Sequence, residues 1–364
     1  MRVLYFSSNY SPHDHRFLTA IVDGGHAAFF LQLESTLRRT EDRPVPPQVE
    51  QVLWAGGRNQ FRWWHLAWLT SSLKDVIRRL QPDLIHAGPI QTCALLVTLA
   101  GFQPLLTMSW GFDLMQDFSR GAWTNLATRF ALRHSTFFTS DAEVTRDRAV
   151  AYGMNPERTC VIPWGVDLTQ FRPGSRPLNS GPSFTILCNR AWEPRYGVDV
   201  LARAFVLVAR QSEHVGLILL GGGSQAHALR TILRDGNVQE RVSFGGQISQ
   251  ADLPRWYQKT DLYVSPSHVD GASVSLMEAL ASGLPVVVSD IPGNKEWVQD
   301  DINGWLFPDG DEHALAAKIL DAIGQRERFP EVGREGRKCA EQRADWSRNA
   351  AALMHLYETA RRLN

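Results

Sequence analysis

The 364-residue chain is poor in cysteine: Cys93, Cys160, Cys188 and Cys339 are its four, far apart and without a C-x-x-C pair. That spacing excludes a zinc ribbon and a disulfide scaffold, and makes a reducing cytoplasm the expected compartment. Net charge is absent too, with 38 Lys and Arg against 38 Asp and Glu, which argues against a general nucleic-acid binder. No apolar run approaches the ~18 residues of a membrane span. No basic-then-apolar leader is seen; the chain opens on a strand-like run at residues 2–6. Fixed-period repeats and low-complexity tracts are missing as well. What remains is 44% hydrophobic and 21% charged, enough to build cores in two domains of roughly 100–200 residues each. The expectation is a soluble, cytoplasmic, two-domain protein.

Short apolar runs alternate with helical stretches throughout, the pattern of an α/β fold with parallel sheets. Strands are expected at 3–6, 27–31, 83–87, 104–109, 135–139 and 160–163, then at 184–188, 216–220, 242–244, 262–265, 285–289 and 305–307. Helical patterns separate them, for example at 61–80, 141–153, 198–210, 273–281 and 312–323. Residues 172–183, with three prolines and two glycines in twelve, sustain neither a helix nor a central strand and read as the linker. The boundaries follow: a first domain at 1–173, a second at 174–345, and a last helix at 346–364 with Leu353, Leu356, Tyr357 and Ala360 on one face. The first 173 residues carry 17 basic and 15 acidic groups, the remainder 21 and 23, an asymmetry too small to name a partner. Doubly wound sheets bind ligands at the C-terminal ends of their strands.

The segment richest in chemistry is 265–290, SPSHVDGASVSLMEALASGLPVVVSD. A strand ends at Ser265, a loop carries Asp270-Gly271-Ala272-Ser273, a helix starts near Ser273, and Gly283 reads as its cap. Such a turn offers backbone N–H groups and the positive end of a helix dipole to an anion. Asp270 and Glu278 frame it with seven residues between them. Glu278 stands among Leu276, Met277, Ala279 and Leu280, where a carboxylate needs a partner. On residue types alone, a helix-surface Glu and a turn Asp remain an equal reading.

Asp270-x7-Glu278, followed by Ala-Leu-Ala-Ser-Gly-Leu-Pro-Val-Val, resembles the E-x7-E signature of the family 4 (group 1) glycosyltransferases. The resemblance continues through Gly165-Val166-Asp167-Leu168-Thr169-Gln170-Phe171, Asn189-Arg190, Glu193-Pro194-Arg195-Tyr196-Gly197, Val242-Ser243-Phe244-Gly245-Gly246 and Gly304-Trp305-Leu306-Phe307-Pro308. It covers the second domain almost end to end. The first domain matches more loosely, through Leu84-Ile85-His86 and Trp110-Gly111-Phe112-Asp113. What it implies is the GT-B fold: two Rossmann-like doubly wound domains facing an interdomain cleft, with a C-terminal helix crossing back to the first. It also implies a retaining, metal-independent transfer from a UDP- or GDP-sugar to an acceptor hydroxyl, with no cofactor beyond that co-substrate.

In that scheme Arg190 and Arg195, just past a strand end, neutralise the leaving diphosphate. Glu278 accepts from the ribose hydroxyls, Asp270 from the donor sugar, and the backbone of Gly271, Ala272 and Ser273 holds sugar and phosphate. Gly222, in a Gly221-Gly222-Gly223 run whose fingerprint lacks its last glycine at Ala226, reads as a tight turn beside the diphosphate. Three departures stand out: Asp270 where the family has Glu, Arg195 where Lys is usual, and Trp110 where many relatives carry His. No protein nucleophile is evident; the resemblance implies front-face substitution in which the leaving phosphate itself takes the acceptor proton, so no protein base is expected.

Acceptor binding falls to the first domain. The loop after its first strand carries Asn9, His13 and Asp14, groups suited to carbohydrate hydroxyls and, in His13 or Asp14, to moving a proton. Capping of the first helix is the alternative use of the same residues. Asp113 is the other catalytic candidate and Trp110 an acceptor contact. The acceptor class stays open among carbohydrate, lipid-linked and small-molecule hydroxyls. Residues 58–68, RNQFRWWHLAW, either seat on an anionic membrane surface or pack on the sheet. Two other functions fit the same chemistry: a nucleotide-sugar epimerase or hydrolase, and a catalytically silent sugar-binding subunit.

Overall fold

The computed structural model describes residues 1–34, 41–58, 61–115, 121–174 and 183–362. By contact the chain forms two units, Met1–Trp164 with Ser347–Asn364, and Gly165–Trp346. The first holds β1 (Arg2–Ser7), β2 (Ala27–Gln32), β3 (Glu50–Val52), β4 (Leu84–Ala87), β5 (Leu105–Met108), β6 (Phe137–Ser140) and β7 (Thr159–Val161). They make a seven-stranded sheet in the order β3-β2-β1-β4-β5-β6-β7, every pairing parallel. The second holds β8 (Phe184–Cys188), β9 (Val215–Leu220), β10 (Val242–Gly246), β11 (Leu262–Ser265), β12 (Val286–Ser289) and β13 (Trp305–Phe307), in the parallel order β10-β9-β8-β11-β12-β13.

Parallel neighbours require helical crossovers, and helices on both faces bury the strands completely. That is why β4, β5, β11 and β12 are buried at every residue and are mostly apolar. Each unit has its own core: Leu4, Phe6, Leu31, Leu73 and Leu105 in the first, Ile186, Leu201, Phe205, Leu217 and Val264 in the second. In both sheets the strand order reverses once, between β1 and β4 and between β8 and β11. The crevice that opens at the C-terminal ends of such a strand pair is the place for a ligand.

The expected strands all form, within two residues at either end. The sequence pattern missed β3, a three-residue edge strand Glu-Gln-Val without apolar alternation. The expected helix at 61–80 is a 3-10 turn, Trp63–His65, running into a helix Leu66–Leu80.

The domain boundaries need correction. Residues 165–173 belong with the second unit: Val166 donates to the carbonyl of Ala344 at 2.7 Å, and Arg337 donates to the carbonyls of Phe171 and Leu168 at 2.7 and 3.3 Å. Proline and glycine mark where the chain cannot be regular, whereas these bonds decide which core a segment joins. Residues 175–182, most of the expected linker, lie outside the described residues.

The helix Trp346–Arg362 buries Leu353, Leu356, Tyr357 and Ala360, the face its spacing predicts, within the first unit. Its anchor there is polar. His86 on β4 and the Tyr357 hydroxyl, both fully buried, share a 2.7 Å hydrogen bond. Burial holds the imidazole neutral, with its pKa down at about 3. Tyr357→Phe strands a buried ring nitrogen and should cost about 1–3 kcal/mol in urea unfolding. An unchanged midpoint would show that the helix is held by its apolar face alone.

Candidate active site

The second unit's crevice is built from the loops after β8 and β11. Asn189 and Arg190 follow β8; the turn 266–273 follows β11 and leads into the helix Val274–Ala281, whose N-cap is Ser273. The His268 amide donates to the Arg195 carbonyl at 3.0 Å, tying the two loops together. The turn needs Gly293 beneath it, because a Cβ there would stand 2.1 Å from the Gly271 carbonyl oxygen. Gly197, at φ +59, likewise lets the backbone pass under Pro266.

Arg190 is caged. One Nη donates to Asp270 at 2.6 Å, and the other to the hydroxyls of Ser273 and Ser275 at 2.7 and 3.0 Å. The guanidinium carbon lies 4.3 Å from the centroid of the Tyr196 ring. Burial alone would lower the Arg190 pKa; the charge of Asp270 outweighs it and the guanidinium is held charged. Ser275 also accepts from the Tyr263 hydroxyl at 2.9 Å. Asp270 and Arg190, which sequence alone places eighty residues apart, are thus brought together as an ion pair.

Glu278 projects from the same helix and is 2% exposed. The partner its apolar setting demands is Tyr257, from the helix Leu253–Lys259, whose hydroxyl donates at 2.9 Å. Asn189 Nδ2 donates to that hydroxyl at 2.7 Å. With Asn189 as donor, the tyrosine's single proton is directed at the carboxylate and at the Ser275 carbonyl, 3.1 Å away. Burial, then the charge of Glu278, pushes the Tyr257 pKa well above its usual value, so the proton stays on the phenol. Tyr257 is a residue the sequence did not single out; an aromatic inside Leu-Pro-Arg-Trp-Tyr reads as core.

Arg195 enters the site through its backbone carbonyl and is half-buried. Gly222 sits at the end of β9 facing open space, its carbonyl accepting from Trp192 at 3.0 Å. Glu193 braces this loop by accepting from the Ser224 amide at 2.9 Å. Gly271 and Ala272 are both buried in the turn.

In the first unit, Asn9, His13 and Trp110 gather at the C-terminal strand edge. The His13 ring stands 3.7 Å from that of Trp164 and 6.2 Å from that of Trp110. Asn9 Oδ1 and Trp110 Nε1 are buried and make no hydrogen bond. Trp164, missed by the sequence reading, closes this corner just before the Gly165-Val166-Asp167 motif.

Two expected site residues serve the fold instead. Asp14 is fully buried in a capping box of the helix Pro12–Asp23, accepting from the Ser11 amide at 2.7 Å, its hydroxyl at 2.5 Å and the Tyr5 hydroxyl at 2.9 Å. Capping, the alternative use of this loop, accounts for Asp14 and displaces its acceptor contact. Asp113, also fully buried, accepts from the Ser109 hydroxyl and from the amides of Ile90, Trp110 and Leu114. Both carboxylate oxygens are spent on the turn that carries Trp110, so Asp113 is not the catalytic group expected of it. Burial raises each of these carboxyls to about 6 against those hydrogen bonds.

Comparison with known proteins gives the family and the fold. Residues 15–170 match the profile described as Glycosyltransferase Family 4, and residues 183–325 that described as Glycosyl transferases group 1. The chain belongs to this family and is a glycosyltransferase of the GT-B fold. It is similar to a GDP-mannose-dependent alpha-(1-6)-phosphatidylinositol monomannoside mannosyltransferase of Mycobacterium tuberculosis, 26% identical over 73% of this chain and 72% of that protein. It is also similar to a D-inositol 3-phosphate glycosyltransferase of Xylanimonas cellulosilytica, 30% identical over 61% of this chain and 56% of that one. Among solved structures, HepE of Anabaena in complex with UDP superimposes with a TM-score of 0.78 at 20% identity, covering 99% of this chain and 100% of that one. Sucrose-phosphate synthase of Thermosynechococcus elongatus gives 0.82 at 18% identity, covering 99% of each chain.

The structural duty of Asp113 is testable. Asp113→Ala leaves the buried amides of Ile90 and Leu114 and the part-buried amide of Trp110 without their acceptor and should cost about 2–4 kcal/mol in urea unfolding. Full stability with lost turnover would return Asp113 to catalysis.

Proposed function

We propose that the chain transfers a glycosyl group from a GDP- or UDP-sugar to an acceptor hydroxyl with retention of configuration and without a metal ion. The observation that carries this reading is the caged Arg190 at the start of the helix Val274–Ala281. There a fixed cation, the helix N-terminus and the Ser273 hydroxyl converge on the place where a leaving diphosphate gathers negative charge. The M. tuberculosis relative uses GDP-mannose by its name and the Anabaena structures hold UDP or UDP-glucose, which is why both bases stay in the proposal.

The proton inventory supports an anion site. Ser273 accepts from Arg190 at 2.7 Å and, as the N-cap, from the Leu276 amide at 3.4 Å, and its neighbour Ser275, 3.0 Å away, already accepts from Tyr263 and Arg190. The Ser273 proton is then left to donate to a phosphate oxygen. Arg195 adds charge on the same loop. Glu278, steered by Tyr257, accepts from the ribose hydroxyls, and Asp270 accepts from the sugar while it anchors Arg190. Asn9 Oδ1 and Trp110 Nε1, both buried with spare hydrogen-bonding capacity, face a carbohydrate-like acceptor, with His13 beside them. As the bond from the anomeric carbon to the phosphate oxygen breaks, the bond to the acceptor oxygen forms on the same face. The acceptor proton passes to the leaving phosphate.

Turnover against a panel of sugar nucleotides tests this. Arg190→Ala and Arg195→Ala should each lower kcat/KM by about 2–4 kcal/mol in transition-state stabilisation. Wild-type values for both would remove the charge assignment, and isomerised donor would indicate an epimerase. The metal-free mechanism makes a separate prediction: excess chelator should leave the rate unchanged, and a strict requirement for added Mg²⁺ or Mn²⁺ contradicts it.

A further inference from the structure

Within 61–68, Phe61 and Leu66 pack against the core of the first unit, but the three tryptophans stand out from it. Trp63, Trp64 and Trp68 are 44%, 72% and 45% exposed. They form a preset row: Phe61 meets Trp63 at 5.4 Å between ring centroids, and His65 stands 6.0 Å from both Trp64 and Trp68. The apolar face of the adjoining helix is already spent, since Leu69, Leu73, Val76 and Leu80 fill the core. A second exposed aromatic lies on the helix Ala122–Arg133, where Trp123 and Leu126 are 78% and 58% exposed. Both groups sit at the N-terminal ends of their helices. In a parallel sheet, helices that return the chain start at the C-terminal edge of the strands. The exposed tryptophans therefore share the edge that carries Asn9, His13 and Trp110.

Charge decides what covers them. Arg62 lies with its guanidinium carbon 5.2 Å from the centroid of the Trp64 ring. Further along the helix Leu66–Leu80, away from the tryptophans, the outer face shows Lys74 and then Arg78 and Arg79, and its one acid, Asp75, is paired to Arg78. Tryptophan has an apolar body and a polar N–H, and suits the boundary between headgroups and acyl chains. A cation beside it, here Arg62, favours anionic lipid.

We propose that this edge of the first unit docks on an anionic lipid bilayer, so that the acceptor hydroxyl reaches the site from a membrane lipid. The docking itself stands on the exposed residues; the choice of a lipid-linked acceptor rests on the transferase reading above.

The test is sedimentation of the full chain with phosphatidylcholine vesicles, with and without about 30% phosphatidylglycerol. Wild type should pellet with the anionic vesicles and stay in solution with the neutral ones. Trp63→Ser/Trp64→Ser/Trp68→Ser should lower the partition at least roughly ten-fold, and Arg62→Glu should lower it while leaving every tryptophan in place. Nucleoside diphosphate affinity, measured on the same samples, reports that each variant is folded. Wild type that ignores anionic vesicles, or a triple variant that pellets like wild type, overturns the proposal. So does a self-associated wild type that the triple variant converts to monomer with no vesicle binding, since a second copy would then be the occupant. If vesicles bind and no nucleoside diphosphate does, the transferase reading fails while the docking stands.

Discussion

A guanidinium taken almost out of water must be met by charge, and at Arg190 the charge is Asp270, 2.6 Å away. The rest of the site is arranged around that pair. It joins the loop after β8 to the turn after β11, the two strands flanking the reversal of strand order. It also sets the Ser273 and Ser275 hydroxyls, which are held by the same guanidinium. Removing one partner would leave a buried charge unpaired, so the pair fixes the rotamer of Arg190 before any ligand arrives. A cation already ordered costs little further entropy when an anion binds.

The site's second carboxylate is set up differently. Glu278 is held by the Tyr257 phenol, whose proton Asn189 directs toward it. A carboxylate oriented by a neutral donor still has lone pairs with which to accept, which suits neutral hydroxyls. Asp270 is spent in part on Arg190, and the proposed reaction places it beside the leaving diphosphate. Two carboxylates seven residues apart along one chain segment thereby take different tasks, set by their neighbours.

Much of this was legible before the structure. The alternation of apolar runs gave both sheets, and the strand-end turn with Asp270 and Glu278 marked the site. Glu278 visibly needed a partner, because four apolar residues flank it. The partner itself was hidden: Tyr257 has no periodicity or motif to separate it from core aromatics. Asp14 and Asp113 misled for a related reason, since a carboxylate just after a strand reads alike whether it faces a ligand or satisfies a turn. The Ser11-x-x-Asp14 spacing is a capping-box cue, and the hydrogen bonds decide in its favour. The boundary at 164 could not be read from composition, because Val166 and Phe171 are claimed by the second unit through backbone carbonyls.

The central claim is that the crevice after β8 and β11 holds a nucleoside diphosphate with its ribose on Glu278. The most direct measurement is calorimetric titration of wild type and Glu278→Gln with GDP and UDP and with their 2′,3′-dideoxy counterparts. The account predicts that wild type favours the ribose form of its nucleotide by about 1–3 kcal/mol, the worth of a hydrogen bond to a charged group, and that Glu278→Gln loses most of that preference while still binding the dideoxy form. A wild type indifferent to the hydroxyls, or a variant that keeps the full preference, would contradict it.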